Sequence, residues 1–120
     1  MTCAVFCIGT EITRGELVNT NAAWLSAALT DVGFDVVEEV SAPDDKAKIV
    51  STLQRLSRKT RVIVVTGGLG PTTDDLTSEA VADALGVSLV RDESSLEAIR
   101  RRFERLGRPM NESNKKQADF

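Results

Sequence analysis

The stretch TGGLGPTTDD, residues 66–75, combines the residue types most able to do chemistry in this chain. Its glycines lack a Cβ atom, so the backbone can adopt positive φ and an anionic group can approach the amides closely. A helical pattern begins just after it, and a helix N-terminus offers unpaired N–H groups. The stretch therefore predicts a phosphate-binding loop. Its candidate ligand-binding residues are Thr66, Gly67, Gly68, Gly70, Thr72 and Thr73.

Two aspartates, Asp74 and Asp75, close this stretch and would repel a bare phosphate. A divalent cation between them would remove the conflict, because Mg²⁺ takes one or two carboxylates together with substrate phosphates. Oxygen ligands suit Mg²⁺ or Mn²⁺ and do not exclude Co²⁺. The alternative is that one aspartate only caps the following helix, a position where Asp is favoured. Both aspartates are therefore candidate metal ligands and catalytic residues, with capping left open for each.

Two common phosphate motifs do not fit the glycines. A P-loop would end in Gly-Lys-Ser/Thr, and residues 66–75 contain no lysine. The dinucleotide fingerprint G-x-G-x-x-G fails at its last position, where Thr73 stands. Three glycines within four residues nevertheless exceed what a tight turn requires.

A second polar stretch, GTEITRGELVNTN, covers residues 9–21. Glu11 comes directly after an apolar run, where a side chain can hydrogen-bond a ligand, hold a metal or serve in catalysis. The alternative is a surface glutamate paired with Arg14. Asn19 or Thr20 is expected to cap the next helix, because both residue types are favoured N-caps.

Strand-like and helix-like patterns alternate along the chain, which is typical of an α/β domain with a mostly parallel sheet. In such sheets ligands bind at the carboxyl ends of the strands, where both polar stretches lie. Gly33 and Gly86 are expected to end two of the helices. The predicted strands are 4–8, 34–40, 62–66 and a short one within 87–92, and the predicted helices are 21–32, 47–56, 76–85 and 93–106.

Composition restricts the classes of function. The 120 residues suit one domain, with 42% apolar and 28% charged residues and no run long enough to span a bilayer. We therefore expect a cytoplasmic protein with no membrane partner. The net charge of -3 argues against a nucleic-acid partner. The arginines between residues 100 and 105 are interpreted as a solvated helix face, and Trp24 as a core or interface residue.

Metal binding by sulfur and nitrogen ligands is not expected. The chain has no histidine, and its two cysteines, Cys3 and Cys7, are four residues apart. On a strand that spacing is about 13 Å, too far for a disulfide between them. Both are interpreted as small buried residues.

Three segments together resemble a known family: IGTEITRGELVNTNAAWLSAALTDVGFDV, VIVVTGGLGPTTDDLTSEAVADALG and NESNKKQA. They are similar to the molybdopterin-binding-like (MoCF) domain in the version found at the N-terminus of the CinA competence/damage-inducible proteins. The resemblance implies a three-layer α/β/α sandwich with a mostly parallel sheet, as in MoeA-like and MogA-like molybdenum cofactor proteins. It also implies a homo-oligomer, a dimer or a trimer.

The same resemblance implies a function. CinA-like domains are associated with divalent-metal-dependent hydrolysis of the pyrophosphate in ADP-ribose, whereas the molybdenum cofactor relatives bind molybdopterin or its adenylylated form. The matching ligand-binding positions outside the glycine stretch are Thr10, Asn19 and Asn21, with Glu11 beside them. The alternative to a hydrolase is a non-catalytic module that binds a nucleotide or pterin phosphate.

The family continues beyond a segment such as NESNKKQADF with more of the same domain. The resemblance therefore implies one domain over residues 1–120, truncated at its C-terminal end, and assigns it no amidase activity. Asn111, Asn114, Lys115 and Lys116 could reach the pocket as polar or cationic ligands. The favoured interpretation of this tail is a frayed polar end.

Overall fold

Three strands and five helices are present in a computed structural model that describes residues 1–120. The strands are β1 (Thr2–Ile8), β2 (Asp35–Ala42) and β3 (Val62–Thr66). The helices are α1 (Thr10–Thr13), α2 (Thr20–Asp31), α3 (Lys46–Ser57), α4 (Thr77–Leu85) and α5 (Glu93–Arg105). A 3-10 helix, Glu112–Ala118, follows them.

The sheet is parallel throughout, in the order β2-β1-β3. Phe6 of the central strand lies opposite Val40 on one side and Val65 on the other. Residues 3–8 are all buried, because β1 has a strand on each side and helices on both faces. This position explains the uninterrupted apolar run in its sequence.

Side chains of β1 alternate between two buried clusters, one on each face of the sheet. Ala4, Phe6 and Ile8 pack with α3 and α4. Val5 and Cys7 pack with Ala22 of α2. The domain is thus the expected three-layer α/β/α arrangement with helices on both faces of a parallel sheet.

The predicted helix ends match the sequence signals. Gly33 N–H bonds to the Thr30 carbonyl and Phe34 N–H to the Leu29 carbonyl, the hydrogen-bond pattern of a Schellman motif. Gly86 ends α4 in the left-handed conformation. Asp45 and Asp92 cap α3 and α5 by accepting bonds from backbone N–H groups three residues on.

Two expectations were wrong. Residues 87–92 do not join the sheet; Val90 instead exchanges two backbone hydrogen bonds with Phe120, at 2.7 and 3.0 Å. Trp24 is 69% exposed, so of the two alternatives for this residue only the interface stays a prediction. The tail is not frayed, since the 3-10 helix orders it and Asn114 is buried.

Other features agree with the sequence interpretation. Both cysteines are free and buried. The arginines of α5 lie on its exposed side, where Arg100 and Arg101 form ion pairs with Glu97. None of the helices has the length and apolar character needed to cross a membrane.

Candidate functional site

The two polar stretches meet at the carboxyl ends of β1 and β3. Thr66, the last residue of β3, pairs with Cys7 of β1, so Gly67 follows directly beside Ile8. Gly67 has φ +94°, and a Cβ atom there would stand 2.0 Å from the Ile8 carbonyl oxygen. The close approach of the two backbones therefore requires glycine at this position.

Residues 67–75, here called the glycine loop, are attached to the start of α4 by Thr77. The buried Thr77 hydroxyl donates to the Gly67 carbonyl at 2.6 Å, and the Thr77 N–H donates to the Gly68 carbonyl at 3.1 Å. Gly68 has φ +64°, and a Cβ atom there would lie 2.3 Å from the Thr77 hydroxyl. Thr77 is a residue of this site that sequence analysis missed, because its contacts depend on the loop folding back onto the helix.

Asp75 stabilises the loop from within. One of its carboxylate oxygens, Oδ2, accepts from the Thr72 N–H at 2.9 Å and from the Thr72 hydroxyl at 2.6 Å. These bonds to Thr72 hold the pKa of Asp75 below its usual value of 3.8, against the opposing effect of partial burial. The Gly70 backbone and the charge of Lys116 lower the pKa of Asp75 further. Asp75 is thus an ionised internal brace of the glycine loop.

Neither aspartate caps α4, so the capping interpretation was wrong. The N-cap of α4 is Leu76, and no side chain bonds to the free amides there. Asp74 is exposed and forms no ion pair. Its carboxylate is therefore available to a ligand or a cation, unlike that of Asp75.

Glu11 lies in α1, a single helical turn that the sequence did not reveal. Its carboxylate folds back over Gly9, where an added Cβ would stand 2.6 Å from Glu11 Oε1. The proposed pairing with Arg14 was wrong, because Arg14 approaches Glu16 at 4.0 Å. Glu11 therefore sits unpaired at the end of β1.

Thr10 is held by Asp44, a residue that sequence analysis did not include in the site. Asp44 Oδ2 accepts from the Thr10 N–H and from the Thr10 hydroxyl, both at 2.9 Å. Asp44 N–H in turn donates to the Thr10 hydroxyl at 3.1 Å. The loop after β2 thereby holds the loop after β1.

The two asparagines of the first polar stretch differ in position. Asn19 caps α2, as predicted: its side-chain oxygen accepts from the Ala22 N–H at 3.1 Å. Its amide nitrogen also donates to the Ser41 hydroxyl at 3.3 Å. Asn21 is exposed in the first turn of α2. Thr73 of the glycine loop is exposed as well.

The C-terminal 3-10 helix reaches the glycine loop, one of the two alternatives open for this tail. Lys116 Nζ donates to the Thr72 carbonyl at 2.9 Å and also to the Asp75 carbonyl. Gln117 donates to the Leu69 carbonyl at 3.4 Å. Three loop carbonyls are thus occupied by two side chains of the tail.

The chain is similar in sequence to known proteins. Residues 4–117 match the family described as "Probable molybdopterin binding domain". A CinA-like protein from Anaeromyxobacter sp. strain Fw109-5 is 45% identical over 112 residues, which cover 93% of this chain and 27% of that protein. The chain therefore spans about a quarter of the length of this relative.

Solved structures show the same fold. The protein CinA from Thermoplasma acidophilum superposes with a TM-score of 0.92 and 32% identity, covering 100% of this chain and 70% of that one. MoaB from Thermus thermophilus, at 23% identity, gives a TM-score of 0.63 over 68% of this chain and 53% of that one, and shows the fold alone.

The fold and the family match together define an α/β domain of the molybdopterin-binding class. Within that class, the chain belongs to the CinA-like family.

Proposed function

We propose that the chain binds a phosphate-bearing ligand on the glycine loop and acts as the CinA-type, divalent-metal-dependent hydrolase of an ADP-ribose-like pyrophosphate. One observation carries the proposal: several backbone amides of the loop have no partner in the chain, while Thr77 and the C-terminal tail hold five of its nine carbonyls. The amides of Gly68, Leu69, Thr73 and Asp74 donate to no other group of the chain. A phosphate is the ligand that such a set of donors favours.

Five of the nine loop carbonyls accept hydrogen bonds from Thr77 or the C-terminal tail, and those of Gly70, Pro71, Thr73 and Asp74 do not. Thr77 donates hydrogen bonds to the carbonyls of Gly67 and Gly68. Side chains of the C-terminal tail donate to the carbonyls of Leu69, Thr72 and Asp75. A carbonyl already bonded to a donor repels a phosphate oxygen less than a bare one. The first turn of α4 follows directly and adds the positive end of its dipole. The loop therefore favours an anion.

A divalent cation bound by the free carboxylate of Glu11 or Asp74 would need oxygens of a ligand as further donors. The chain contains no group of three or more acidic or sulfur side chains placed to hold a metal ion. Mg²⁺ is commonly bound by one or two carboxylates plus substrate phosphates, and Mn²⁺ or Co²⁺ accepts similar oxygen ligands. When bound, such an ion supplies charge neutralisation and lowers the pKa of a water molecule.

The residues of the site have separate proposed roles in binding and hydrolysis. Free amides of the glycine loop stabilise negative charge on the phosphoryl group. Glu11 and Asp74 would hold the cation, and Asp75 contributes by bracing the loop. Thr10, Asn19 and Asn21, across from the loop, together with Thr66, Thr72 and Thr73, are the proposed polar contacts to the rest of the ligand.

A non-catalytic module that binds molybdopterin or another pterin phosphate is the second candidate. The family description and the occupied carboxylate of Asp75 favour it, since one of the two predicted metal ligands already serves the loop. In this case a divalent ion is not required.

Calorimetric titration of ADP-ribose into the chain, with Mn²⁺ or with chelator, tests the proposal. We expect metal-dependent binding and release of AMP, both lost in Asp74→Asn and Glu11→Gln. Glu16→Gln is the matched control, because Glu16 is exposed and contacts only Arg14. Binding of a pterin phosphate that is unaffected by chelator, without hydrolysis, would instead support the non-catalytic binding module.

A further inference from the structure

We propose that Lys116 is a positioning residue of the phosphate site: it holds the carbonyl groups of the glycine loop away from the bound anion. The inference rests on the proposed function and assigns a specific part of it to the C-terminal tail. Lys116 lies 41 residues beyond Asp75 along the chain, outside both polar stretches.

The contacts of Lys116 concentrate on one end of the glycine loop. Its ammonium donates to the carbonyls of Thr72 and Asp75, the residues at the two ends of the internal brace. The carboxylate of Glu79 on α4 lies 3.9 Å away, which is an ion pair but too long for a hydrogen bond. Of the three donors of the ammonium, two are therefore used by the loop carbonyls.

The backbone of the tail fixes where this ammonium can stand. Asn114, which is buried, and Asn111 form a reciprocal capping box at the start of the 3-10 helix. At its other end Ala118 is buried, and Arg91 forms a bidentate pair with Asp119, at 2.7 and 2.9 Å. Lys116 therefore projects from a backbone that is held on both sides.

The bonds from Lys116 fix the orientation of the peptide groups whose carbonyls they hold. Each peptide has its N–H and C=O on opposite sides, so a carbonyl held towards Lys116 directs the amide of the next residue the other way. The peptide that follows Thr72 carries the N–H of Thr73, one of the four free donors. Without the lysine, the Thr72 carbonyl loses its charged donor and keeps only the longer bond from the Asp75 N–H, at 3.2 Å, so less holds this peptide against turning towards the ligand.

Lys115, the neighbouring lysine, provides a matched control. Lys115 Nζ bonds to Glu112 within the same 3-10 helix, at 2.7 Å, and does not contact the loop. Lys115→Met and Lys116→Met remove the same charge and the same donors one residue apart. A difference between them therefore reports contact with the loop and not net charge.

The test is calorimetric titration of ADP-ribose with Mn²⁺ into wild type, Lys116→Met and Lys115→Met. We expect Lys116→Met to weaken binding about tenfold or more, which corresponds to one lost charge-assisted hydrogen bond. Lys115→Met is expected to bind as the wild type does, and Lys116→Arg to recover part of the affinity. Amide resonances of Gly68 and Thr73 should shift in Lys116→Met alone.

Distinct outcomes separate the two proposals. No binding by the wild type overturns the proposed function and the role of Lys116 with it. Wild-type binding that Lys116→Met leaves unchanged overturns the positioning role alone, even if the urea midpoint falls. Should Lys116→Met not fold, Lys116→Gln, which keeps one donor, is compared in the same way, and unchanged binding by that variant likewise overturns the positioning role.

Discussion

The carboxylate of Asp44 accepts two hydrogen bonds from Thr10, one from its N–H and one from its hydroxyl, both at 2.9 Å. The two residues are 34 positions apart and follow β2 and β1, which are neighbours in the sheet. The pair therefore joins two loops at the carboxyl edge, where Glu11 is the next residue.

Thr10→Val tests what this pair contributes to stability. Valine keeps the shape of the side chain but leaves the partly buried Asp44 carboxylate with one donor fewer. We expect the free energy of unfolding to fall by about 1–3 kcal/mol. Urea unfolding measures the change, and Thr10→Ser, which retains the hydroxyl, should lose less. Equal midpoints for the valine and serine variants would contradict the assignment.

Gly67→Ala tests the close approach of β1 and β3. Gly67 and Gly33 have similar positive φ values, +94° and +90°, but only at Gly67 would a Cβ atom meet another group. Gly33→Ala should cost about 1–2 kcal/mol, the penalty of a left-handed backbone. Gly67→Ala should cost at least about 3 kcal/mol, since overpacking against the Ile8 carbonyl is added. Similar losses of stability in the two variants, measured by thermal unfolding, would show that the contact between Gly67 and the Ile8 carbonyl is not tight.

The depressed pKa of Asp75 predicts a pH dependence. A carboxyl group whose pKa is lower in the folded state contributes stability that is present above its unfolded value, 3.8, and is lost as the pH falls through the folded value. The stability difference between wild type and Asp75→Asn should therefore shrink as the pH drops below 3.8. Urea unfolding between neutral and strongly acidic pH measures it. A difference that stays constant over this range would show that Asp75 is not braced by Thr72.

Self-association stays a prediction, and Trp24 is the place to test it. Trp24 is the only tryptophan and is 69% exposed in the single chain, with Leu17 and Val18 also exposed just before α2. If two copies meet through this surface, dilution should shift Trp24 fluorescence to the red and increase quenching by acrylamide. The mass from light scattering should fall over the same concentrations. A fully quenched, concentration-independent signal would place any interface elsewhere.

Sequence patterns predicted the layers of this domain because its strands and longer helices carry clear periodicity. The unbroken apolar run of β1 and the stripe Ile49, Leu53 and Leu56 on α3 each correspond to a buried surface. One turn of helix, as in α1, is too short to show a period. Residues 87–92 have the composition of a strand, but their partner is the end of the chain and not the sheet.

The candidate site was predictable as two loops, but not as a set of contacts. Glycines, aspartates and Glu11 were visible as residue types at strand ends. Asp44 and Thr77 were not, because each reaches a loop residue that is distant along the chain or depends on a specific backbone fold. Lys116 was named only among the tail residues able to reach the pocket, without its partners in the loop. Side chains that serve loop carbonyls leave no local pattern in a sequence.

The sheet order β2-β1-β3 has a consequence for how the polypeptide aggregates. Both outer strands present an unpaired backbone, but β2 carries Asp35, Glu38 and Glu39, whereas β3 reads VIVVT with no charge. Charged residues on an outer strand discourage pairing with other molecules, and an apolar one invites it. Aggregation of the 120-residue chain on concentration or heating is therefore expected to begin along β3, and a lysine placed there would be the first substitution to improve its solubility.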